Sequence, residues 1–170
     1  MIYQTAVTQF SKALGTLLVM IDKAAAHAEA KKFDMDVLFQ ARLAPDQFSF
    51  LRQVQVACDT AKLAAARLAN QEQAAPSHPD TEQTVTEIKA RIQSVMTYLG
   101  AFSAGDFAGA AERRITTPRW KGKSLSGAEF LLQHAVPNFY FHLTTAYAIL
   151  RHNGVDVGKK DFLGELPYRE

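Results

Sequence analysis

His134, Asn138 and His142 recur at four-residue intervals within the aromatic-rich run 131–152. On a helix each step of four turns a side chain only about 40° around the axis, so the three groups form one slowly winding row. Imidazoles and amides in such a row can bind a polar ligand, and an imidazole can hold a divalent metal such as zinc or nickel. His134 and His142 are two turns apart, about 12 Å along the axis, too far to share one ion. Only one of them can be a ligand in a mononuclear site, and Asn138, midway, could act with His142, although an amide is a weak ligand for such metals. Leu131, Phe139, Phe141 and Leu143 flank the row and carry part of it toward the core, where each polar group needs a partner.

Trp120 is a second centre of interest. Arg113, Arg114, Arg119, Lys121 and Lys123 surround it, a composition that can grip phosphates or stack a base. Acidic residues elsewhere leave a formal charge of only +2, so a solvated basic hairpin is expected and nucleic acid is not the expected partner. Gly122-Lys123-Ser124 looks like the end of a phosphate-binding loop. Thr117 stands where that motif needs glycine, and a helix rather than a strand precedes it, so the motif is rejected. Cys58 is expected in the core of a helix, with Asp59 beside it orienting a histidine or facing water. His27, His78 and His152 fall near helix ends or linkers, where solvation is expected.

Four helical stretches position these residues. Tyr3, Val7, Phe10, Leu14, Leu17 and Ile21 form the seam of the first, which should end near residues 29–32. The second is expected to begin around Pro45 and Asp46 and to turn Phe50, Val54, Ala57, Ala61, Ala64 and Leu68 inward. After a linker at 71–79, Asp80 or Thr81 should cap a third helix whose seam runs through Val85, Ile88, Ile92, Val95, Leu99 and Phe102. The fourth opens on a capping box formed by Ser126 and Glu129 and ends at Asn153-Gly154. Pro137 inside it should bend the chain toward a freed carbonyl near Gln133. Residues 112–124 break the helical period, and the Thr, Ile and Trp followed by Lys-Gly predict a small irregular hairpin.

The expected architecture is thus an all-α four-helix bundle in one domain spanning 1–170. At 170 residues, with 48% hydrophobic and 21% charged residues, the chain can bury a core of its own, which excludes a disordered tail or a coiled-coil rod. One cysteine excludes an intrachain disulfide framework and fits a reducing compartment. Polar residues punctuate the first twelve positions and no run of about 18 apolar residues occurs, so neither a leader peptide nor a membrane span is expected. A cytoplasmic location follows as the expectation.

The segment from Leu131-Leu132-Gln133-His134 through Pro137-Asn138 and His142, continuing into Arg151-His152-Asn153-Gly154 and the closing stretch 154–164, resembles the last helix of the DinB and YfiT-like superfamily. The likeness is nearest to that superfamily's branch of bacterial proteins of unknown function. It implies a bundle of up-down-down-up course, often a homodimer, and in many members a divalent metal held by three histidines. The small-residue face of the second helix adds a second reason to expect dimerisation. Carried over by residue, the metal positions fall near Val56 and on Asn138 and His142, of which only His142 keeps the ligand type. Three functions follow as expectations. The first is a small ligand or partner bound at a degenerate metal pocket through His134, Asn138, His142 and Trp120, with no cofactor required. The second is a metal-dependent hydrolase or thiol-dependent transferase, and the third is nucleic-acid binding around Trp120.

Overall fold

The computed structural model describes residues 1–169. A π-helical turn at Gln4–Gln9 leads into α1 (Phe10–Lys31), and Lys32 stops it in the left-handed conformation with φ of 60°. A short helix, α2 (Met35–Gln40), follows, N-capped by the Asp34 carboxylate, which accepts from the Asp36 amide. Then come α3 (Phe50–Leu68), α4 (Val85–Gly100), the one-turn α5 (Gly127–Glu129), α6 (Val136–His152) and a terminal turn, α7 (Lys159–Leu163). Strands β1 (Arg114–Ile115) and β2 (Leu125–Ser126) form the hairpin before the last long helix, pairing Arg114 with Ser126 and Ile115 with Leu125.

The four long helices run up, down, down, up. Gln55 of α3 bonds Glu82 just before α4, whereas Leu68 at the far end of α3 accepts from Arg113, beyond the end of α4. These two helices are therefore parallel, and residues 69–84 travel back along the bundle to make them so. His142 meets Gln53 while Asn138 meets Thr60, so α6 runs against α3; Lys89 paired with Asp22, and Met96 beside Gly15, set α4 against α1. One core fills the centre, with Phe10 and Phe139 stacked at 4.4 Å between ring centroids.

The predicted seams of the helices are buried except at their first residues Tyr3 and Val85, which are half-buried; Phe50, Val54, Ala57, Ala61, Ala64 and Leu68 of α3 are all buried. That buried stripe of alanines faces its neighbours in the bundle, so it is not a surface for a second copy. Three boundaries differ from expectation. Pro45 and Asp46 lie in a turn closed by the Gln47 amide on the Ala44 carbonyl, and α3 begins only after Ser49. Asp80 and Thr81 are not the cap of α4; Thr84 is, through a capping box in which Glu87 bonds back to the Thr84 amide. Phe102 packs in the core from beyond the end of α4. Losing the cap in Thr84→Ala should lower stability by about 1 kcal/mol, measurable as a shift of the urea midpoint.

Pro137 lies inside an unbroken helical run over 127–152, and the irregularity there is a widened turn just before it. Residues Phe130–Ala135 form a π-turn, with the Val136 amide bonding the Leu131 carbonyl five residues back, and α6 starts with Pro137 in its first turn. A residue without an amide hydrogen is tolerated there, and the widened turn absorbs the misfit before the helix resumes. Its consequence is local: the π-turn sets the rotation at which His134 enters the row ahead of Asn138 and His142.

Candidate functional site

All four residues singled out in the sequence line one cavity. It has a volume of about 450 Å³ and opens between α3, α6 and the β1–β2 hairpin. Asn138 and His142 of α6 and His134 of the π-turn before it form one wall, Trp120 and Arg119 come from the segment between β1 and β2, and Arg52, Val56, Asp59, Thr60 and Arg67 come from α3.

His142 is the most enclosed of the row at 7% exposure. Its Nδ1 lies 2.7 Å from Gln53 Oε1. The Gln53 amide nitrogen donates to the Phe48 carbonyl, which turns Oε1 toward the ring, so Nδ1 carries the hydrogen and Nε2 is left as the acceptor. No side chain or backbone group among the described residues bonds Nε2. Burial first, and then the nearby Arg52 charge, hold the His142 pKa below its ordinary value, which keeps the ring neutral. Phe48 stacks over it at 6.4 Å and Phe141 meets it edge-on at 5.2 Å.

Asn138 donates to Thr60 Oγ1 at 2.9 Å, and that hydroxyl donates in turn to the Val56 carbonyl at 2.8 Å. The amide orientation is therefore fixed by α3, with the Asn138 carbonyl oxygen the atom left for a ligand. His134 is positioned by aromatic packing instead. It stacks on Phe130 at 5.4 Å and meets the Trp120 ring edge-on at 5.2 Å, while its Nδ1 is sealed from solvent without a hydrogen-bond partner. Burial, followed by Arg67, lowers its pKa as well.

Gln53 and Thr60 were not foreseen. Their signal was a polar residue at an inward position of an apolar helix, one turn either side of Val56 and Ala57. The basic hairpin is less free than its composition suggested: Arg113 donates to the Leu68 and Ala108 carbonyls, and Arg114 to Ser124 and Gly122.

Behind the cavity lies a charge cluster that joins α3, α4 and the long linker. Arg91 is buried and reaches Asp59 at 3.0 Å, Asp80 at 2.5 Å and Glu82 at 3.0 Å. Lys62, also buried, bonds Asp59 at 2.9 Å, the Pro76 carbonyl at 2.9 Å and His78 Nδ1 at 3.1 Å. Arg52 pairs with Asp80. His78 is thus not simply solvated: it accepts from Lys62 and donates to Ser94, pinning the linker onto the bundle. Burial first, then Lys62 and Arg91, depress its pKa. Cys58 sits in the core beside this cluster, and burial pushes its thiol pKa up to about 12, so it packs as an apolar group and is not a nucleophile.

His78, His134 and His142 all have pKa values lowered by folding. The unfolded chain therefore binds more protons once the pH drops below their ordinary value of 6.5, and stability must fall. The expected result is a plateau of stability above pH 6.5 and a declining limb below it, before the carboxylates titrate; chemical denaturation across that range checks it. A stability that rose as the pH fell through 6.5 would contradict these assignments.

The donor set does not fit a three-histidine metal centre. Val56 has no donor atom, the Asn138 amide is committed to Thr60, and only His142 offers an imidazole nitrogen at the expected positions. Among the described residues no group of three or more His, Cys, Asp or Glu side chains converges on one point. No helix among them is long and apolar enough to cross a membrane.

Comparison with known proteins agrees with the fold. No curated protein matches the chain. It is similar to a DinB family member protein from Shewanella denitrificans whose crystal structure is known, at 59% identity over 99% of this chain and 94% of that one, with a TM-score of 0.96. The family model of the domain of unknown function DUF1993 matches residues 2–163. The up-down-down-up bundle, the hairpin before the last long helix and these two matches together show that the chain belongs to the DUF1993 family of the DinB and YfiT-like superfamily.

Proposed function

We propose that this protein binds a small organic ligand in the cavity between α3 and α6, and that the place of the superfamily's metal has passed to a neutral hydrogen-bonding row. The observation that supports this best is the arrangement of that row. His134, Asn138 and His142 line one cavity of about 450 Å³, and side chains of α3 fix the orientation of two of them. Such a volume suits a small metabolite, and polar atoms held in fixed orientation beside aromatic rings are what selective recognition requires. His142 Nε2 and the Asn138 carbonyl accept, while the aromatic end at Trp120, Phe130 and His134 receives an apolar body.

The test is a thermal-shift survey of fractionated metabolites on the wild type and on Val56→Phe, whose larger side chain obstructs the cavity. At least one fraction should raise the Tm of the wild type and leave Val56→Phe unmoved. If no fraction protects the wild type, the proposal fails. Metal analysis of untagged protein purified without chelator belongs beside it. Metal well below one equivalent, unchanged in His142→Ala, is the expected result, and stoichiometric metal lost in that variant would restore a metalloenzyme.

A further inference from the structure

We infer that the ligand is a flat monoanion, an aromatic carboxylate, whose ring lies against Trp120, Phe130 and His134 and whose carboxylate is met by Arg119. This rests on the cavity being a ligand site. The first argument is charge. Of the charged residues lining the cavity, Arg52 is paired with Asp80, Arg67 with Glu72, and Asp59 with both Lys62 and Arg91. In the cluster behind the wall, the three cations Arg52, Lys62 and Arg91 are matched by the three carboxylates Asp59, Asp80 and Glu82. Arg119 alone among the lining residues has no ion-pair partner among the described residues, and it sits beside Trp120 at the cavity's rim. A site holding one unmatched positive charge favours a ligand with one negative charge. A phosphate monoester carries nearly two, and a carboxylate carries one.

The second argument is shape. The Phe130 and His134 rings are stacked within 19° of parallel, and Trp120 stands nearly perpendicular to His134 at 80°. This corner presents a face and an edge together, which suits a flat ring in the offset or edge-on contacts aromatic groups prefer. A guanidinium next to that corner can take a planar carboxylate with two parallel hydrogen bonds. The lowered pKa values of His134 and His142 leave both rings neutral, so neither competes for the anion.

The chain has one tryptophan, and it lies in this corner, so its emission reports occupancy of the site. The experiment titrates para-tert-butylbenzoate and the neutral para-tert-butylbenzamide into wild type, Arg119→Gln and Val56→Phe, reading Trp120 emission. In the wild type the acid should bind at least about tenfold more tightly than the amide, and added salt should weaken the acid alone. In Arg119→Gln the two should converge with the amide unchanged; because Arg119 is exposed, that variant should keep its fold, which its Tm verifies. Equal binding of acid and amide to the wild type, with both lost in Val56→Phe, would overturn the anion preference and leave the cavity standing. Binding of neither to the wild type would also overturn this inference, while the metabolite survey separately decides whether the cavity takes ligands at all.

Discussion

Arg91→Met is expected to destabilise the fold by about 3 to 5 kcal/mol, because it removes the one cation that Asp59, Asp80 and Glu82 share. The penalty comes less from lost attraction than from what remains. Glu82 is only 10% exposed at its side chain, and the three carboxylates left within one small volume repel each other with only Lys62, Arg52 and the Gln55 amide still facing them. Burial alone would favour the neutral form of Arg91, yet Asp80, Asp59 and Glu82 outweigh it and raise its pKa, so the guanidinium is firmly charged. The loss should show as a lower urea midpoint. Part of it should return when Asp80→Asn and Glu82→Gln are added, since those changes remove the stranded charges. A single Arg91→Met variant as stable as the wild type would mean the cluster is not coupled as its geometry indicates. The same substitution bears on the cavity, because it leaves the cluster behind its wall with three carboxylates against the two cations Arg52 and Lys62, and that excess negative charge should weaken an anionic ligand.

Gly127→Ala is expected to cost about 3 kcal/mol although it adds one methyl group. A Cβ at this position would lie 1.8 Å from the Ala110 carbonyl oxygen and 3.2 Å from the Leu68 side chain, and the backbone carbonyl cannot swing away as a flexible side chain could. Relief requires α5 to lift from the segment it packs on, against a gain in helix propensity of at most about 1 kcal/mol. Since Gly127 stands between β2 and the π-turn that carries Phe130 and His134, the displacement should reach Trp120 as well. Thermal denaturation should show the loss, and Trp120 emission in the native state should move toward longer wavelength. Unchanged stability would show that the hairpin is not clamped at this point.

Much of the fold was legible because its helices are amphipathic at one period, and the seams of α1, α3, α4 and α6 are simply the apolar residues at three- and four-residue steps. What failed were features where one residue type serves two uses. Pro45 imitates the first turn of a helix, yet it serves a turn, and the chain waits for Ser49 before α3 begins. Asp80 has the chemistry of a helix cap, but its carboxylate is engaged with Arg52 and Arg91, leaving the cap to Thr84 and its partner Glu87 three residues on. The short α2 has too few turns to display a period. In the site, the α6 row was visible from spacing alone. Its supports were not: Gln53 and Thr60 lie more than 75 residues earlier in the chain, and only the antiparallel packing of α3 on α6 brings them into contact. The buried Arg91 and Lys62 were equally hidden, since a charged residue on a helix normally reads as its wet face.

Ligand binding in the cavity depends most directly on the protonation of the two histidine rings and on their response to an occupant. Nitrogen-15 spectra of the ring atoms at neutral pH, recorded as para-tert-butylbenzoate is added, examine both at once. The expected spectrum has His142 neutral with its hydrogen on Nδ1, bonded to Gln53, and has His134 resonances moving as the ligand fills the corner beside Trp120. An imidazolium at position 142, a hydrogen on Nε2 instead, or two rings that do not move at all would contradict it.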